Sequence, residues 1–145
     1  VSPWRSVLRM KDARAQDEEQ IKKAKELVEF VGLGDVTNDL TSTISSAQQR
    51  LLMIATAMAA DPKLILLDEP AAGMVAKERK ELANVIKRIR ARGLAVLVIE
   101  HHMGLIMEVC ERIVVLNFGE KIAQGTPEEI QSNSAVIEAY LGGVH

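Results

Sequence analysis

From residue 64 onward, short apolar runs alternate with segments of helical periodicity. The runs 64–67, 94–99 and 112–116 are of strand length and aliphatic except at Arg112. The first is expected to be buried on both faces of a sheet. Between them, apolar side chains recur at helical spacing over 76–92, and 103–110 predicts a second helix. This order predicts an α/β fold with right-handed crossovers and a parallel sheet.

The first 60 residues carry helical patterns and no strand-length apolar run. Residues 11–31 start highly charged and become amphipathic, and Gly32 is expected to end that helix. Residues 48–60 predict a mostly apolar helix that stops before Pro62, because the residue preceding a proline avoids the α region. A polar, turn-rich loop connects these two helices.

The C-terminal 30 residues predict a hairpin followed by two short helices. Residues 117–120 should turn the chain from the third strand into a fourth strand at 121–124. The order Thr-Pro-Glu-Glu at 126–129 is typical of a capping box with proline at the first helical position. A last helix is expected over 135–141.

Composition places the chain among globular proteins with an aliphatic core. Its 145 residues make one domain or a piece of a larger protein, with 48% hydrophobic, 26% charged and 3% aromatic residues. The formal net charge of −2 and the scarcity of aromatic side chains argue against nucleic acid as a partner.

The cysteine count and the hydropathy pattern exclude two further classes. The single cysteine, Cys110, rules out a disulfide framework and argues against a zinc cluster. It favours a reducing, cytosolic setting. No apolar run reaches the roughly 18 residues needed to span a bilayer, so we expect no direct membrane insertion.

The first candidate site lies where the run 64–67 ends in Asp68 and Glu69. In open parallel sheets, ligands bind beyond the carboxyl ends of the strands. There an aspartate suits Mg²⁺ held beside a phosphate, and a following glutamate suits the orientation or deprotonation of an attacking water. The alternative is a solvated strand end at which two acids and Pro70 open a loop.

The second strand also ends in polar residues, Glu100, His101 and His102, on the same expected edge of the sheet. A histidine there is suited to contact a phosphate or the attacking water. The alternative is a pair of surface histidines. A metal site is poorly supported, because the whole chain has three histidines and one cysteine.

A third candidate is the polar segment 44–50, which leads into the helix at 48–60. The first turn of a helix offers unpaired N–H groups and the positive end of its dipole, which suit an anion. For this stretch taken alone, a plain capped helix start is the favoured interpretation.

Taken together, the order and spacing of these segments resemble the ATPase subunit of ABC transporters over about residues 20–143. ISSAQQR (44–50) stands where the family has its signature, and LILLDEP (64–70) is similar to the Walker B segment. AAGM (71–74) resembles the start of the D-loop, and His101 stands at the switch histidine. Several segments, the first DEPAAGM and the last IEAYLGG, resemble those of the ATP-binding subunits of branched-chain amino-acid importers. The lipopolysaccharide-export ATPases are the alternative.

The resemblance implies a partial P-loop NTPase (RecA-like) parallel sheet. Residues 1–60 would form part of the helical subdomain, and 61–145 the C-terminal part of the ATPase core. Asp68 would coordinate Mg²⁺ through water, Glu69 would be the catalytic carboxylate, and His101 would contact the γ-phosphate of ATP. The opposite subunit's site would be completed by Ser45, Ser46, Ala47 and Gln48.

The same resemblance implies the partners and the location. The expected partners are a second ATP-binding subunit and the transmembrane permease subunits. The expected location is cytoplasmic, peripheral on the inner face of the cell membrane.

The sequence departs from the family pattern in several places. No G-x-x-x-x-G-K-[ST] motif and no Gly-Lys pair occur in it, so we expect the C-terminal part of a subunit that binds ATP weakly by itself. Ala47 replaces a signature glycine and would hinder the approach of backbone to the γ-phosphate. Val75 replaces a polar D-loop residue, and His102 replaces a common aspartate.

These departures leave three hypotheses open. The first is a truncated transporter ATPase, the second a non-hydrolytic regulatory or structural remnant of one, and the third a stand-alone metal-dependent hydrolase. If the sheet is truncated, it is expected to expose an apolar edge and face.

Overall fold

The computed structural model describes the backbone of residues 3–141 and the side chains of residues 17–140. Within them the helices and strands alternate as the hydrophobic pattern predicts. In chain order they are α1 (Pro3–Phe30), a 3-10 turn (Gly34–Val36), α2 (Ser46–Met58), β1 (Leu64–Asp68), α3 (Ala76–Ala91), β2 (Ala95–Ile99), α4 (Met103–Val109), β3 (Ile113–Asn117), β4 (Glu120–Gly125), α5 (Pro127–Gln131) and α6 (Ser134–Leu141).

The predicted breakers end the first two helices. α1 begins earlier than the predicted residue 11, and it ends just before Gly32, which has a φ of 86° that favours glycine. α2 ends at Met58, and the chain then turns through Asp61, at a φ of 49°, into Pro62. Lys23 in α1 forms a salt bridge with Asp61 in this turn, with 2.5 Å between Nζ and Oδ2.

β1 and β2 pair in parallel, which confirms the predicted crossover through α3. The expectation that β1 is buried on both faces was wrong. Ile65 and Leu67 are buried, whereas Leu64 and Leu66 are 51% and 66% exposed. The reason is that, in the part of the chain that the structure describes, helices pack on one face of this sheet only. The predicted exposed apolar face is therefore present.

The third strand differs from the prediction of one continuous sheet. β3 pairs antiparallel with β4 and, among residues 3–141, makes no ladder with β2. Phe118 and Gly119 turn the hairpin with φ values of 46° and 82°, the pair of positive angles that a type I′ turn requires. A cleft of about 420 Å³ lies between β2 and β3. An alternating pattern predicts strands and the handedness of their connections, but not which strands become neighbours.

The core is aliphatic, as the composition predicts, and it consists of two clusters. The larger one joins α1 and α2 to the β1–β2 sheet, α3 and α4, and its most buried large side chains include Leu82 and Ile89, both at 0% exposure. The smaller one lies under the hairpin and is centred on Ile130. Among the described helices, none has both the length and the apolar character needed to cross a membrane.

Candidate functional site

The carboxyl ends of β1 and β2 bring the two predicted polar clusters together. The parallel register pairs Asp68 with Ile99, so the residues that follow each strand leave the sheet side by side. The backbone N–H of Glu69 donates to the carbonyl of Ile99 at 2.9 Å, which extends the ladder by one bond. The strand-end loops, defined as residues 69–71 after β1 and 100–102 after β2, therefore form one edge.

Glu69 and His101 are the two predicted catalytic groups, and the structure places them next to each other. Nδ1 of His101 lies 3.8 Å from Oε1 of Glu69. Both side chains are largely open to solvent, at 61% for the histidine and 60% for the glutamate. An accessible carboxylate beside an accessible imidazole is suited to handle a water molecule and a phosphate oxygen together.

The backbone of Glu69 is held in an unusual conformation. Its φ of 44° lies in the left-handed region, which non-glycine residues rarely occupy. Such a conformation costs free energy and persists only where neighbouring contacts enforce it. At this residue those contacts come from both sides, through the bond to Ile99 and through a bond from α2.

The bond from α2 comes from Arg50, a residue to which the sequence analysis gave no role. Its Nη1 donates to the carbonyl of Glu69 at 2.8 Å and to that of Pro70 at 3.3 Å. A charged donor on backbone carbonyls makes a stronger hydrogen bond than a neutral one. The signal in the sequence is an arginine in the second turn of α2, directly before the apolar run 51–55.

Glu100 is the second residue whose role was not predicted. Its carboxylate accepts hydrogen bonds from the backbone N–H of Ala71, His101 and His102, and it faces the His102 ring. Burial by itself raises the pKa of Glu100, but the hydrogen bonds from Ala71 and the two histidines outweigh it, so the pKa lies below the ordinary value of 4.5. The carboxylate is therefore charged near neutral pH.

Asp68, the predicted Mg²⁺ ligand, is exposed at the end of β1. By the alternation of the strand it lies on the same face as Leu64 and Leu66, the open face of the sheet. In the part of the chain that the structure describes, its carboxylate accepts no hydrogen bond from a protein donor. A free carboxylate oxygen is the kind of ligand that Mg²⁺ takes, directly or through water, so this side chain fits the predicted role.

The signature segment 44–50 forms a complete capping box at the start of α2. The Oγ of Ser45 accepts from the N–H of Gln48 at 3.2 Å, and the Oε1 of Gln48 accepts from the N–H of Ser45 at 2.8 Å. The two side chains that the resemblance assigns to a nucleotide are thus bonded to each other's backbone. The alternative of a capped helix start is present in the structure, and the nucleotide role of these residues stays a prediction.

Two of the departures from the family pattern have clear locations. Ala47 is 6% exposed and belongs to the larger core cluster, so its methyl group is packed against other side chains. Val75 precedes α3 with its side chain 63% exposed, and its N–H donates to Glu78 at 2.9 Å. A cleft of about 290 Å³ separates the start of α2 from the start of α3, and both residues line it.

Comparison with protein families gives two matches on different parts of the chain. The family described as ABC transporter matches residues 3–72. The family described as branched-chain amino acid ATP-binding cassette transporter matches residues 120–145.

Curated relatives agree with these matches. The high-affinity branched-chain amino acid transport ATP-binding protein LivG of Salmonella typhimurium is 44% identical over 130 residues, which are 89% of this chain and 51% of LivG. BraF of Pseudomonas aeruginosa, described in the same words, is 42% identical with the same coverage. The lipopolysaccharide export system ATP-binding protein LptB of Haemophilus influenzae is 38% identical over 83% of this chain and 50% of LptB. The chain thus spans about half the length of the curated relatives it matches.

Solved structures match over most of the described fold. A nucleotide-free ATP-binding cassette from an ABC transporter has a TM-score of 0.77 and 29% identity, and the match covers 97% of this chain and 56% of that one. An ATP-binding cassette in its ADP conformation also has a TM-score of 0.77, at 28% identity, over 86% of this chain and 50% of that one. Both likenesses support the α/β fold described above.

Proposed function

Because the chain belongs to the ABC transporter ATP-binding family, we propose that it is part of an ATP-hydrolysing subunit that energises an importer of branched-chain amino acids. The observation that carries this proposal is the contact between Glu69 and His101 at the ends of two paired parallel strands. The relatives described as branched-chain amino acid transport proteins, at 42–44% identity, support the choice of substrate.

We assign the Mg²⁺ that accompanies ATP to Asp68, through water. When bound, this ion neutralises charge on the phosphates. Asp68 offers an exposed carboxylate for it at the strand end, and Arg50 keeps the adjoining loop in place from α2.

In this proposal Glu69 orients the attacking water and receives its proton. His101 donates a hydrogen bond to an oxygen of the γ-phosphate and so favours the charge that develops there. The separation of 3.8 Å between the two side chains lets them act on neighbouring atoms of one substrate. Since both are about 60% exposed, water and phosphate can reach them without a change in the fold.

We place the signature segment at the site of a second ATP-binding subunit, where Ser45, Ser46, Ala47 and Gln48 would face its nucleotide. For this, the hydrogen bonds of the capping box must be shared with, or exchanged for, bonds to phosphate. The hypothesis that Ala47 hinders this approach predicts a rise in ATP hydrolysis in Ala47→Gly. An unchanged or lower rate would overturn it, and the burial of Ala47 gives a physical reason for such a result.

The remaining assignments follow from the family. Residues 1–60 belong to the helical subdomain and 61–145 to the ATPase core. The partners are a second ATP-binding subunit and the permease subunits, and the subunit lies on the cytoplasmic face of the cell membrane.

The test is ATP hydrolysis by the full-length subunit assembled with its permease partners. We expect leucine, delivered by the importer's binding protein, to stimulate hydrolysis, and His101→Ala to lower kcat by about 100-fold. The exposed Glu138→Gln serves as a control on α6 and should leave the rate unchanged. Stimulation by lipopolysaccharide instead of leucine would move the assignment to the export ATPases.

A non-hydrolytic regulatory role is the second candidate. The observation in its favour is that Ser45 and Gln48 are bonded to each other in the capping box and that Ala47 is buried. An assembled transporter that hydrolyses ATP equally well with wild-type chain and with Glu69→Gln would support it.

A further inference from the structure

Glu100 differs sharply in exposure from the catalytic pair that it adjoins. Its side chain is 0% exposed, whereas those of Glu69 and His101 are about 60% exposed. A carboxylate withdrawn from water is costly unless hydrogen bonds replace its hydration. The donors of those hydrogen bonds therefore indicate the role of the carboxylate.

The two oxygens of Glu100 bind different loops. Oε1 accepts from the N–H of Ala71, 29 positions earlier in the chain, at 2.8 Å. Oε2 accepts from the N–H groups of His101 at 3.0 Å and His102 at 3.3 Å, and it lies 3.1 Å from Nδ1 of His102. One planar group thus joins the loop after β1 to the loop after β2.

These contacts also argue against a metal at this cluster. Single ligand atoms of Glu100, His101 and His102 lie within 4.8 Å of one another, a spacing that a metal ion can bridge. However, Oε2, the oxygen that faces the two histidines, already accepts from the N–H groups of His101 and His102 and lies 3.1 Å from Nδ1 of His102, so protein donors use its lone pairs. Because three of the donors to Glu100 are backbone N–H groups, the role that fits this carboxylate is to hold the backbone of both loops in place.

We propose that Glu100 is a positioning residue that sets the spacing between the two strand-end loops, and through it the distance from Glu69 to His101. The inference rests on the proposed function, since it matters for ATP hydrolysis only if that pair is catalytic. Glu69 lies two residues before Ala71, and His101 directly follows Glu100, so each catalytic side chain is close in sequence to one of the anchored amides. A change at Glu100 that frees either loop therefore alters the spacing between the two loops.

The test uses Glu100→Gln, which keeps the size of the side chain but turns one acceptor oxygen into a donor. The amide group can then satisfy Ala71 or the two histidines, but not both sets. We expect hydrogen exchange, followed by NMR in the purified chain, to accelerate about tenfold or more at one of these sets of amides. Amides of the β3–β4 hairpin, such as Val115 and Ala123, serve as the reference and should change less than about twofold.

A second readout is kinetic. In the assembled transporter, Glu100→Gln should lower kcat by about tenfold and leave the KM for ATP within about twofold, because the loops are displaced while the nucleotide contacts remain. Unchanged exchange at Ala71, His101 and His102 would overturn the inference. An equal acceleration everywhere, including the hairpin, would also overturn it, since it would show a general loss of stability.

The proposed function and this inference fail in different ways. If the wild-type assembly hydrolyses no ATP, the proposed function is lost and the exchange data alone decide whether Glu100 spaces the loops. If Glu100→Gln does not fold, His102→Ala takes its place. That variant removes the ring of His102 from Oε2 only, so exchange should rise at the amides of positions 101 and 102 but not at Ala71. A rise at Ala71 would overturn the inference.

Discussion

The signature segment and the strand-end loops are built in opposite ways. The signature segment is held by residues three positions apart, since Ser45 and Gln48 bond to each other. The strand-end loops are held from a distance: Arg50 reaches the carbonyl of Glu69 from 19 positions away, and Glu100 reaches Ala71 from 29 positions away.

This difference determines what each region can withstand. A local capping box forms wherever its helix forms, and its loss weakens only that helix end. A loop held by distant side chains depends on the packing of several elements. A residue with strained backbone, such as Glu69, relaxes out of that conformation when the contacts are lost. The strand-end loops should therefore be the more sensitive of the two regions, in stability as well as in activity.

Among the hydrogen bonds that hold the two regions, the bond from α2 is expected to have the largest effect on stability when it is removed. Arg50→Gln loses two charge-assisted hydrogen bonds to the carbonyls of Glu69 and Pro70, partly exposed to solvent, and should lower the free energy of unfolding by about 2 kcal/mol. Urea unfolding gives this value. The exposed Lys80→Gln removes the same charge from α3 and should stay within about 0.5 kcal/mol of wild type. Equal values for the two variants would show that Arg50 does not hold the loop.

Loss of the helix cap should cost about half as much. Ser45→Ala leaves the N–H of Gln48 without its acceptor and is expected to lower the free energy of unfolding by about 1 kcal/mol in the same measurement. The neighbouring Ser46→Ala is the matched control, because Ser46 is exposed and provides no cap. If Ser45→Ala were neutral, the Oγ of Ser45 would be free for another role, such as contact with a nucleotide.

Acid should weaken the strand-end loops through Glu100. Burial raises the pKa of Glu100, but its hydrogen bonds lower that pKa by a larger amount. The folded-state pKa therefore lies below the ordinary 4.5. A carboxyl of this kind adds stability above its unfolded-state pKa and loses it as the pH falls through the folded-state pKa. The urea midpoint of wild type should therefore exceed that of Glu100→Gln by more at about pH 7 than below about pH 4. A constant difference would contradict the assignment.

Substitutions on the exposed face of the β1–β2 sheet should change self-association and leave folding almost unchanged. Leu66 and Leu97 are paired neighbours on this face, at 66% and 53% exposure. Leu66→Lys should reduce self-association in analytical ultracentrifugation and change the melting temperature little. Leu67→Lys, which places the charge at a buried position of the same strand, should unfold the chain instead. Unchanged self-association in Leu66→Lys would show that this face is not the contact.

The order of elements could be predicted from the sequence because each one carries a local signal. The aliphatic run before Asp68, the glycines with positive φ and the capping residues set most ends within a few residues. Sequence motifs mark Glu69 and His101 as candidate site residues, and their catalytic roles stay a prediction. The roles of Arg50 and Glu100 depend on contacts between segments that the chain brings together only in three dimensions, and so does the separation of β3 from β2.

The most direct test of the catalytic role proposed for Glu69 is the kinetics of Glu69→Gln in the full-length subunit assembled with the proposed permease partners. Glu69 is the residue whose backbone is held by both Ile99 and Arg50, and its carboxylate faces His101. If Glu69 acts on the attacking water, kcat for ATP hydrolysis falls about 100-fold or more while the KM for ATP stays within about threefold. A kcat within about threefold of wild type would contradict it.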